Sequence, residues 1–158
     1  ISFVVIAVFW RSNTQLLGRF RAMDQALITS NLVTVAFVVL LPFSTQGISD
    51  PALYGMPLPT ALYAVNVALA ILSQSITAEI ARARGLLIDD IPPSAWWAAR
   101  IDLLSKIGIF LLSVPIAFVF GSHWAQLSWL LLIVVGRVTG RWSERVAQRA
   151  VAPDAERT

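Results

Sequence analysis

The stretch from Leu27 to Phe43, LITSNLVTVAFVVLLPF, limits what this chain can fold into more than any other. Past Ser30, its only strongly polar members are Asn31 and Thr34. With Gln25 and Ala26 before it and Ser44 and Thr45 after it, it approaches the roughly 20 residues that cross a hydrocarbon core about 30 Å thick. Its closing Leu-Pro-Phe suits a membrane helix finishing near the interface. Similar segments lie at about 1–20, 60–80, 98–120 and 124–142, and the second, at about 25–46, reads as the one the others are arranged around. The fold class expected is all-α, a polytopic transmembrane helix bundle over 1–142, with five helices visible of six and a polar cytoplasmic tail at 143–158.

Composition supports the same conclusion. Hydrophobic residues make up 57 % of the chain and charged residues 13 %, with a mean hydropathy of +0.72. A single soluble core of this size leaves too much surface exposed to hide that much apolar area, so lipid must cover the remainder. There is no cysteine, which excludes disulfides, zinc–thiolate sites and a cysteine nucleophile. Six Trp and eight Phe fit aromatic belts at the two membrane surfaces.

The distribution of charge sets a topology. Arginine and lysine fall at 11–21, at 82–106 and from 137 onward, whereas the stretches 47–59 and 121–123 contain none. By the positive-inside rule the basic stretches and the C-terminus are cytoplasmic. A basic balance arranged this way orients a membrane protein, and nucleic acid is not an expected partner. Residues 1–10, ISFVVIAVFW, are apolar from the first position and lack the basic start and cleavage site of a signal peptide. They read as the continuation of a membrane helix, with one more helix expected upstream.

The helix faces carry the polar residues of interest. Tyr63, Asn66, Ala70, Ser73 and Thr77 recur at spacings of three and four, so they share one face, away from Leu62, Val65, Leu69 and Leu72. Such a stripe serves close helix packing or a wet ion pathway, and spacing alone leaves both open. Asn31 and Thr34 are placed to face it. Asp102 and Lys106, acid first and four apart, read as an interfacial ion pair near the start of their helix. Glu79 stands beside Arg82 in the same manner.

Pro92-Pro93 reads as a helix stop, with Trp96 and Trp97 as interfacial anchors. Ser122 is the expected N-cap of the fifth helix, and Pro115 is an expected kink in the fourth. His123 has no second ligand near it to share a metal. Gly136 and Gly140 form a GxxxG interrupted by Arg137 and Arg141. No catalytic fingerprint occurs, so no enzyme activity, cofactor, metal or small-molecule substrate is expected.

Three stretches together resemble the transmembrane protein 175 family of lysosomal and bacterial potassium channels. ISFVVIAVFWRSNTQLLGRFRAMD (1–24) looks like that family's second helix and the connection after it. LITSNLVTVAFVVLLPFST (27–45) is similar to the third, and PTALYAVNVALA (59–70) to the fourth with its Ala-Leu-Tyr and Asn. The resemblance implies a six-helix subunit in a bacterial cell membrane, four subunits around a central pore, and potassium as the permeant ion. The family's pore-lining first helix, with its Arg-x-x-x-Phe-Ser-Asp signature, has no counterpart in the sequence, so the ion filter is unassigned. Trp10, Asn13, Asn31 and Asn66 carry over as residues bracing or packing helices near the pore. Ser12, Asn13 and Thr14 stand where the family commonly has His after its Trp. Competing readings are a small transporter using Glu79, Asp102 and Lys106, and a non-conducting membrane scaffold.

Overall fold

The structure is a computed structural model that describes residues 2–89, 91–132, 134–142 and 145. Helix α1 spans Ser2–Leu17, α2 Gln25–Ser49, α3 Pro57–Ala83, α4 Pro93–Val119 and α5 Ser122–Ser128, with a 3₁₀ turn at Pro51–Leu53. After a turn at 129–130, residues 131–132 and 134–142 are again helical. Among the described residues the chain is all-α; its one bridge, Phe20 with Leu87, is isolated. Three helices, α2, α3 and α4, are long and apolar enough to span a membrane. The expected tail lies outside the described residues except for Arg145.

Proline opens two of the long helices. Pro57 and Pro93 each occupy the first helical turn, where a missing N–H costs nothing and the fixed φ already suits the helix. Accordingly α3 starts three residues before the expected 60, and α4 starts at the proline pair expected as a helix stop. Trp96 and Trp97 therefore lie inside α4. Pro42 is likewise internal to α2, which continues to Ser49. The hydroxyls of Ser44 and Thr45 donate back to the carbonyls of Leu40 and Leu41 on that turn, the usual support for a membrane helix around proline.

Helix α3, rather than α2, is the centre of the bundle. It packs against α2 on one side and α4 on the other. Its membrane window is 56 % buried, against 17 % for both α2 and α4. The core joins Tyr63, Ala64, Val67, Ala68 and Ile71 of α3 to Leu41 of α2 and Phe110 of α4. Leu62, Val65, Leu69, Leu72 and Ile76 form the exposed opposite stripe of α3. On α2 and α4, Leu32, Val39, Phe43, Leu104, Leu112 and Phe118 also face outward, as lipid-solvated helices require.

The two ends of the bundle differ in chemistry. At one end the α1–α2 and α3–α4 connections pair backbones, Arg21 N–H to Leu86 O at 2.8 Å and Ile88 N–H to Arg19 O at 2.9 Å. Asp24, the N-cap of α2, accepts from Leu27 N–H at 2.9 Å and pairs with Arg84. Glu79 pairs with Arg100 at 2.6 Å and accepts from the Trp96 indole at 3.0 Å. Arg82 stacks on Trp96 instead of meeting Glu79, its expected partner. The other end is joined without ion pairs among the described residues. Tyr54 and His123 share a 2.8 Å hydrogen bond, and Gln126 Nε2 donates to Thr60 Oγ1 at 3.3 Å. Gly121, at φ +94°, is the N-cap of α5, and Ser122 makes no cap: its hydroxyl donates to Met56 O at 2.7 Å.

The expected fifth helix, 124–142, is broken. Trp129, Leu130 and Leu132 donate to carbonyls three residues back, the tighter 3₁₀ pattern that interrupts an α-helix. At this turn the Trp129 indole donates to Ser113 Oγ at 3.1 Å, and its rings stack near Tyr63 and Phe110. The anchored tryptophan and the break thus coincide.

Candidate functional site

All five residues of the α3 stripe are buried. Asn66, Ser73 and Thr77 find hydrogen-bond partners within the protein. Asn66 Nδ2 donates to Phe37 O at 3.2 Å and to Ser44 Oγ at 3.4 Å, tying α3 to α2. Ser73 and Thr77 donate to Ala70 O and Ser73 O, each at 3.0 Å. Thr77 also shares a 2.7 Å hydrogen bond with Ser30 of α2. Small residues bring the backbones close and hydroxyls bond across the contact, so within the chain this face packs helices. Ser30, and not Asn31, is the α2 residue that reaches Thr77.

A second locus, largely apolar, lies between α1 and α2. A groove of about 350 Å³ is lined by Phe9, Trp10 and Asn13 of α1 and by Thr34, Val38 and Pro42 of α2, among others. Trp10 stands two-thirds exposed at its rim. The carboxamide oxygens of Asn13 and Asn31 are buried and accept no hydrogen bond among the described residues. A buried, unpaired polar group costs about 1–3 kcal/mol. Three of the four bracing positions read from the sequence therefore belong to α1 and α2, while Asn66 belongs to α3 and bonds to α2.

Asp102 and Lys106 form their pair at 2.6 Å. Asp102 is nine residues past Pro93, about 13 Å along the axis, and its side chain is only 15 % exposed. Because α4 begins at Pro93, the pair stands beyond the first two turns of its helix. Thr139 donates to the second carboxylate oxygen of Asp102 and to Val135 O, coupling the pair to the last helical segment. Gly136 lies beside the Lys106 stem, so the GxxxG faces α4 on at least that side. Among the described residues no group of carboxylates and histidine is arranged to hold a metal.

Sequence reasoning missed the Glu79–Arg100–Trp96 cluster and the Tyr54–His123 contact. Their partners come from different elements, and no spacing along the chain announces them.

Residues 1–42 match the family described as the endosomal/lysosomal potassium channel TMEM175. The match takes in α1, the connection after it and α2 as far as Pro42, and so contains Trp10, Asn13 and Asn31. The third resembling stretch, 59–70, with Asn66, lies outside it, as do Asp102 and Lys106. No curated protein and no solved structure matches the chain. The chain is an integral membrane protein whose first two helices are similar to those of this potassium channel family.

Proposed function

We propose that the chain is a subunit of a potassium-selective cation channel that conducts passively through a central pore formed by oligomerisation, as a homotetramer. The observation that carries this reading is the match of α1 and α2 to the TMEM175 channel family. The chemistry of the helices agrees with it. Glu79 and Asp102, the two carboxylates within the described helices, are each tied into an ion pair, whereas a coupled pump needs a carboxylate free to exchange its proton or ion. In the matched segment, the buried carboxamide oxygens of Asn13 and Asn31 accept no hydrogen bond among the described residues. The end bearing Arg19, Arg21, Arg82, Arg84 and Arg100 faces the cytoplasm.

Reconstitution into liposomes under a potassium gradient tests the proposal, with native mass spectrometry of the purified protein reporting its assembly. The expected result is a tetramer with potassium current exceeding sodium current. The paired substitution Asp102→Asn with Lys106→Met leaves that current in place. A folded tetramer without potassium flux, or flux that disappears with the ion pair, overturns it.

A further inference from the structure

On the other side of α1 from the groove above, two adjoining hollows form a furrow between α1, α3 and α4. The inner hollow, about 320 Å³, is apolar along Val5, Val8, Val67, Ile71 and Phe110. The outer, about 190 Å³, is polar, with Gln15, Arg19 and Ser75. Both include Ser12, Gln74 and Leu103, so they meet there. Gln74 Nε2 donates to Ser12 Oγ at 3.1 Å at that junction. From Gln74 to Tyr63 the apolar part runs along eleven residues of α3, about 16 Å.

The polarity follows the membrane normal. The polar mouth lies toward the end where Arg19 and Arg21 pair with the α3–α4 connection, and the apolar part runs toward the middle of α3. Arg19 at the mouth makes no side-chain ion pair or hydrogen bond among the described residues. Asp89 borders it on the far side without forming one. Lys106 reaches the inner hollow with its charge partly met by Asp102. A cation at headgroup depth above an apolar slot of acyl-chain length is complementary to one molecule, a lipid with a negative headgroup.

We propose that this furrow holds an acyl chain of an anionic glycerophospholipid from the arginine-bearing leaflet, with its phosphate at Arg19. The inference depends on the membrane placement of the helices and is independent of conduction.

The test uses the full chain in detergent with equimolar phosphatidylglycerol and phosphatidylcholine, with bound lipid read by native mass spectrometry. Phosphatidylglycerol is expected to be retained in preference by about fivefold, the effect of one basic residue at an anionic surface. Arg19→Gln removes the preference, and Val8→Trp, at an exposed position on the slot, removes retention of both lipids. Circular dichroism confirms the helix content of each variant. Equal retention of the two lipids by the unaltered protein overturns the proposal, as does a preference unaffected by Arg19→Gln. If inorganic phosphate alone protects the protein from heat as well as the lipid does, the site is an anion site and the proposal fails. If Val8→Trp disrupts assembly while lipid retention persists, the furrow belongs to a second copy, and the proposal fails again.

Discussion

Asp24 shows how one side chain can serve two elements. Its carboxylate caps α2 and reaches Arg84 beyond the end of α3. The Leu27 N–H bond, helped by the Arg84 charge, holds its pKa below the ordinary carboxylate value. A lowered native pKa means that the ionised form is favoured by folding. Its contribution to stability is complete above about pH 3.9, the unfolded value, and is lost as pH falls through the native value. Asp24→Asn keeps the cap, since asparagine caps as well as aspartate, but removes this acid dependence. Melting the variant and the unaltered protein across pH 2–6 in detergent should give curves that converge at the acid end. Asn66 offers a second test. Asn66→Ala removes both hydrogen bonds to α2 and should destabilise by about 0.6–1.7 kcal/mol, the range for such bonds in membranes, in denaturant titrations followed by circular dichroism.

Among the helices, hydropathy and burial run in opposite directions. Helix α2 has the highest mean hydropathy, 2.1, and is 17 % buried, while α3, at 1.5, is 56 % buried. In lipid the most apolar helix gains nothing by hiding, whereas one rich in alanine, serine and threonine lets neighbours approach. The long helices were legible from apolar runs, and the α3 face from its spacing of three and four. Which helix is central was legible only from small-residue content. The helix starts at Pro57 and Pro93 were misjudged because proline ends one helix and opens another by the same lost N–H, and only context separates the two. Packing at the centre is correspondingly unforgiving. Ala64→Leu, at a position with no exposure, should destabilise by about 1–3 kcal/mol through overpacking. Leu69→Ala on the lipid side should change stability by less than about 0.5 kcal/mol, both read by thermal melts in detergent.

At the scale of the molecule, the sequence's alternation of basic and uncharged stretches corresponds to two physical ends, because the connections that share a charge pattern also touch. The contacts that make each end were invisible in the sequence, since Glu79 and Arg100, or Tyr54 and His123, are joined only by folding. The cysteine-free chain suits a direct test of orientation. Ala52→Cys in intact cells should react with a membrane-impermeant maleimide, and Asp89→Cys only after permeabilisation. The reverse pattern would invert the assignment.

The unequal fastening of these ends gives the protein a saline pole and an indifferent one. Coulomb pairs such as Asp24–Arg84 and Glu79–Arg100 weaken as counterions crowd in, because the screening length contracts from about 10 Å at 0.1 M to about 3 Å at 1 M. The clasp around Tyr54, Ser122 and Gln126 has no such pair to lose. Concentrated brine should therefore quicken amide deuteration around 82–88 and leave 52–60 unmoved, so the molecule would loosen from one side of the bilayer while its opposite rim stays shut.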